Sequence, residues 1–174
     1  MKRFYRILLL CSLLVPGHLA VAAEQFIKPS LILNHIELIR AQEAGGDELY
    51  FDISIYRPNK TTQFVRIPKA PMHWPSAASK QIKNVTLWSE PLKEGESVVL
   101  IASLIEQDAT PLNPDDVLGS IRVKLTYEQG QLKTQWSIPN REQGPAMANQ
   151  QGDIQKFELF DAGSKYEVYL SLVK

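Results

Sequence analysis

Short apolar runs of period two, each closed by turn residues, recur along this chain, and no stretch carries a convincing helical period. Leu49, Phe51, Ile53 and Ile55 alternate with Tyr50, Asp52, Ser54 and Tyr56; Ile121, Val123 and Leu125 alternate with Ser120, Arg122 and Lys124. Successive side chains on a strand point to opposite faces, so such runs offer one face to a core and one to water. Further strand-like runs fall at 30–40, 63–67, 83–89, 132–138, 154–160 and 166–173, and an almost continuously apolar one at 98–106, with Pro58-Asn59-Lys60, Lys93-Glu94-Gly95 and Glu128-Gln129-Gly130-Gln131 among the turns between them. About eight or nine short strands at regular spacing imply an all-β antiparallel β-sandwich or barrel. A parallel sheet would need helical crossovers, and the sequence offers none.

Three segments depart from the simple pattern. The run 30–40, SLILNHIELIR, alternates imperfectly, as a strand carrying a bulge would. Residues 68–79 hold Pro68, Pro71 and Pro75 and read as a long connection in which a helix is not expected. Residues 139–152 are polar and aperiodic and are expected to form a mobile loop.

The first stretch stands apart from this domain. Lys2, Arg3 and Arg6 precede an apolar run from Ile7 to Val15, and Ala20-Val21-Ala22 and Val21-Ala22-Ala23 fit a small-x-small cleavage site. The expectation is a secretory signal over 1–23 and one domain over 24–174. The apolar run is shorter than the roughly 20 residues a membrane span needs. Cys11 lies inside it, preceded by Leu10 and followed by more apolar chain, which suits a signal better than a lipid-anchor site. The whole chain carries 19 basic and 19 acidic residues, so losing three basic ones leaves the exported part acidic. That argues against a nucleic-acid partner, which calls for a basic face. Cys11 is the sole cysteine, so the exported part has no disulfide, thiolate nucleophile or cysteine-based zinc site.

The candidate functional residues are acidic. A loop at 41–47, AQEAGGD, and the stretch from Glu106 to Gly119 bring carboxylates to the ends of predicted strands. Loops at the same end of a sandwich meet in space. Crowded carboxylates repel unless a cation or a proton relieves them, and neither loop contains a lysine or arginine. Calcium takes about six to eight hard oxygen ligands and tolerates irregular geometry. The plainer account is that Asp, Asn, Gly and Pro are what turns are made of.

Two stretches together resemble the ion-binding loops of C2 domains. Gly46-Asp47-Glu48-Leu49-Tyr50-Phe51-Asp52-Ile53 is similar to the first loop and the strand it enters. Glu106-Gln107-Asp108 followed by Asp115-Asp116-Val117-Leu118-Gly119 is similar to the third. The resemblance covers roughly residues 30–125 and implies a C2-like sandwich that binds calcium, and then lipid or protein, through these loops. Position by position, it implies Glu43, Asp47, Glu106, Asp108 and Asp116 as calcium ligands. Leu112, at the tip of the long loop, would be a contact with a membrane or partner. Trp74, in the proline-rich connection, would be either a partner contact or a packing residue.

Catalytic patterns are weaker. The exported part has two histidines, His35 and His73, with no H-E-x-x-H spacing, and no G-x-S-x-G element is present. Paired loop carboxylates are too common to identify a glycosidase. The expectation is an exported, non-enzymatic binding module, periplasmic or secreted (a bacterial effector would be one case), with a calcium-free protein-interaction domain or a hydrolase of unrecognised site as alternatives.

Overall fold

The computed structural model describes residues 25–41, 46–108, 114–139, 147–148, 153–161 and 163–174. The expected signal, Glu43, Leu112 and most of the 139–152 loop therefore lie outside the described residues.

In chain order the strands are β1 (Phe26–Ile27), β2 (Ser30–Arg40), β3 (Glu48–Tyr56), β4 (Gln63–Ile67), β5 (Trp74–Pro75), β6 (Lys83–Ser89), β7 (Leu92–Lys93), β8 (Ser97–Glu106), β9 (Asp116–Glu128), β10 (Gln131–Ser137), β11 (Met147–Ala148), β12 (Gln155–Asp161) and β13 (Ser164–Val173). The thirteen strands among the described residues exceed the expected eight or nine. The nine longer ones correspond to the nine strand-like runs, and the surplus is β1, β5, β7 and β11, each of two residues. Pairs that short have no periodicity to read. A second correction concerns the proline-rich connection, which holds a 3₁₀ segment at Ser76–Gln81. Pro75 sits at its N-cap, outside the helical ladder, where a missing N–H costs nothing.

All pairings are antiparallel. The larger sheet runs β11-β10-β9-β8-β3-β4, with β5 also on β3, and the smaller runs β12-β13-β2-β6. Their apolar faces enclose one core. Phe51, Ile53, Leu100, Leu104, Ile121 and Val123 come from the larger sheet, and Leu31, Leu33, Ile36, Tyr166 and Val168 from the smaller. Each fully buried aliphatic side chain contributes roughly 1.5–3 kcal/mol by leaving water, and truncating one to alanine costs about 2–5 kcal/mol.

Local irregularities follow from single residues. A register shift against β13, which leaves Asn34 as an extra residue between Leu33 and His35, allows Leu33 and Ile36 to face the core although they are three apart. Gln129 and Gly130, both at positive φ, form a two-residue hairpin turn between β9 and β10. In β9, Leu118 is an extra residue opposite the Leu104–Ile105 step and is buried. The neighbouring Gly119 lets the sheets close, since a Cβ there would lie 2.9 Å from Leu159 Cδ2 of β12.

This topology positions the candidate site. Leu49 at the start of β3 faces Glu106 at the end of β8, and Glu106 faces Asp116 at the start of β9. The described ends of the two acidic loops therefore meet at one end of the sandwich.

Candidate functional site

The acidic end is divided into an interior layer and an outer rim. Asp47 and Glu106 form the interior layer. Glu106 continues the inward row of β8, after Val98, Leu100, Ala102 and Leu104, and is only 3% exposed. Asp47 is 1% exposed. Its Oδ2 accepts a hydrogen bond of 2.8 Å from Ser164 Oγ and another from the Tyr166 hydroxyl. Its backbone N–H donates to Ser76 Oγ at 2.7 Å, and its carbonyl accepts from the Ser76 N–H at 2.7 Å. One residue thus ties the entry to β3, the 3₁₀ segment and the opposite sheet together.

Gly46 makes this approach possible: its φ is +87°, and a Cβ there would lie 2.8 Å from Ser76 Oγ. Burial pushes the Tyr166 hydroxyl far above the usual tyrosine range. The hydrogen bond to Asp47 and the charges of Asp47 and Glu106 push the same way, while a hydrogen bond with Ser76 opposes them.

The outer rim is built from Asp108, Asp115 and Asp116, all half-buried. Asp115 Oδ1 accepts the Asp108 N–H at 3.1 Å, and its Oδ2 accepts the Tyr50 hydroxyl at 2.7 Å. Arg66 from β4 lies over the Tyr50 ring, 3.5 Å from its centre, and donates to Gln107 Oε1 at 2.6 Å. Asp52 pairs with Arg66 across the β3–β4 ladder.

Desolvation pushes the Asp52 carboxyl above its usual range; Arg66 pulls it down and Asp115 pushes it up. Burial raises the Tyr50 hydroxyl far above the ordinary tyrosine value, with the bond to Asp115 and the charges of Asp115 and Asp52 acting alike and Arg66 opposing. The acidic end therefore has a positive charge of its own, supplied by a strand rather than by either loop.

The arrangement separates the sequence candidates. Asp47 and Glu106 are brought together inside, and Asp108 and Asp116 stand on the rim. Among the described residues, no three His, Cys, Asp or Glu side chains are grouped so as to hold a metal ion. Trp74 is half-buried, pairs with Leu49 and packs against the core. Trp88 and Trp136 are core residues. His35 is half-buried and stacks on Tyr169 with ring centres 4.0 Å apart, and His73 Nε2 lies 3.8 Å from Glu48 Oε1.

Sequence reasoning missed Tyr50, Asp52, Arg66, Gln107 and Asp115 as members of the site. The alternation of β3 places Tyr50 and Asp52 on its polar side. What was lacking was the β3–β4 register that puts Arg66 beside them.

These observations define an all-β antiparallel sandwich with a polar, acidic end. The chain matches no protein-family model and no curated protein. Among the described residues, no helix is long and apolar enough to cross a membrane.

Proposed function

We propose that this chain is an exported, C2-like binding module that engages a lipid or protein partner through the acidic end of its sandwich. The observation that carries this reading is the rim formed by Asp108, Asp115 and Asp116 where the ends of β3, β8 and β9 meet. Function belongs to sites and not to folds, so the rim and not the sandwich is the argument.

Calcium is the cofactor this reading entails. Hard carboxylate oxygens suit it, and Asp108 and Asp116 are the ligands to test, because Asp47 already accepts hydrogen bonds from Ser164 and Tyr166 in the interior. The test is the melting temperature of the purified protein in excess calcium and in chelator. A ligand at about 100 times its Kd stabilises by roughly 2.7 kcal/mol, a rise of several degrees. The expected result is a calcium-specific rise that disappears in Asp108→Asn with Asp116→Asn. Unchanged melting up to millimolar calcium removes calcium from the reading.

A calcium-free protein-interaction role has its own support. β4 ends the larger sheet, with Phe64 76% exposed and Val65 also exposed. Such an edge offers backbone groups for an added strand. On this second reading, capture of a protein partner is identical in calcium and in chelator and is lost in Phe64→Lys.

A further inference from the structure

We propose that a hollow beside β2 binds a small anionic amphiphile, its acidic head between Lys80 and Lys83 and its apolar body along Ile36, Ile39 and Ile154. The hollow has a volume of about 950 Å³. Sites for small ligands are commonly about 300–1,000 Å³, mostly apolar with a few convergent polar groups.

The topology explains why the space exists. β6 accompanies β2 only from Ser30 opposite Ser89 to His35 opposite Lys83. Before Lys83 the chain runs through the 3₁₀ segment, so Ile36–Arg40 has no strand on that side among the described residues. The space left is walled by β2, the 3₁₀ segment, the start of β6 and Ile154. Ile39 and Ile154 remain 51% and 56% exposed, apolar surface that an acyl chain would cover.

Charge selects an anion for the polar side. Lys80 and Lys83 are exposed lining residues with no ion-pair partner among the described residues. Two other lysines of the same sheet differ: Lys156 pairs with Glu167 at 2.6 Å, and Lys165 with Glu158 at 3.1 Å. Glu37 also lines the hollow, but its Oε1 lies 3.5 Å from His35 Nε2. The hollow thus joins an apolar wall to two lysines against one lining carboxylate, Glu37, a net positive balance that complements a carboxylate with a hydrocarbon tail.

The experiment is calorimetric titration of the full protein with decanoate, kept below its micelle concentration. Decanoate should bind saturably, octanoate roughly tenfold more weakly for two lost methylenes, and decanol at least tenfold more weakly for the lost charge. Lys80→Ala with Lys83→Ala should weaken decanoate at least tenfold without changing the melting temperature, since both side chains are exposed. Ile39→Asn tests the apolar wall independently and should weaken decanoate more than acetate. Asp108→Asn with Asp116→Asn should leave decanoate binding unchanged, which separates this site from the acidic rim. Absence of saturable decanoate binding overturns the proposal, as does equal affinity for decanol or in the double-lysine variant.

Discussion

The Tyr50 hydroxyl donates a 2.7 Å hydrogen bond to Asp115 Oδ2, joining the outer face of β3 to a residue 65 positions further along the chain. That bond holds the entrance to β9 against the face that carries Arg66. With Arg66 over the Tyr50 ring and paired across the ladder with Asp52, the guanidinium offsets part of the negative charge that the loops concentrate here.

Removing that charge should be felt throughout the rim. Arg66→Ala loses the 2.6 Å bond to Gln107 and the stack on Tyr50, and leaves Asp52 and Asp115 facing each other without a cation. The expected cost is about 1–3 kcal/mol at pH 7. Because Arg66 lowers the Asp52 pKa, its removal raises the folded value further above the unfolded one. A raised carboxyl favours the folded state below its unfolded pKa and loses that advantage as pH rises through the folded pKa. The deficit should therefore shrink as pH falls through the carboxylate range, read by urea unfolding at pH 7 and pH 4.

Tyr166→Phe should destabilise the protein by roughly 1.5–3 kcal/mol, because a buried carboxylate loses a charge-assisted donor. Ser164→Ala removes a second donor to the same oxygen. A double-mutant cycle should show non-additive losses, since both hydroxyls serve Asp47 Oδ2.

Alkaline titration should unfold the protein earlier than its net charge alone would imply. Tyr50 and Tyr166 are both buried, and both have raised folded pKa values. The unfolded chain begins to release these protons near pH 10 while the folded protein holds them, so stability is full below that pH and falls as pH rises. The slope is about 1.4 kcal/mol per pH unit for each tyrosine. Melting curves from pH 9 to 11 should show the fall, and Tyr50→Phe and Tyr166→Phe should each flatten it.

Gly46→Ala should cost about 1–3 kcal/mol, from a left-handed φ of +87° combined with a Cβ 2.8 Å from Ser76 Oγ. Adding Ser76→Ala relieves the clash but not the backbone, and it also removes the donor-acceptor contact with the Asp47 N–H. The pair should therefore remain less stable than the wild type in thermal melting.

The strands were legible because burial on one face of a sheet leaves a period-two record. In β3, Leu49, Phe51, Ile53 and Ile55 are all buried, as their spacing predicts. The bulge in β2 could be read from the imperfect alternation around His35, and the β9–β10 turn from Gln129-Gly130. The four two-residue strands and the 3₁₀ segment left no such record, because a pair of residues has no period and its pairing depends on what lies opposite.

The candidate site divides along the same line. Local chemistry placed carboxylates in two loops, and antiparallel pairing brought the described ends of those loops to one end. Which acids turn inward was settled by strand parity and packing. Glu106 continues a buried row, and Asp47 is drawn inside by hydroxyls from Ser164 and Tyr166, more than a hundred residues away. Arg66 entered the site through a cross-strand register, and Lys80 and Lys83 reached the hollow because β6 ends short of β2. Alternation is a property of neighbours along the chain and can be read there. Charge compensation and cavities depend on distances between segments that the linear order does not contain.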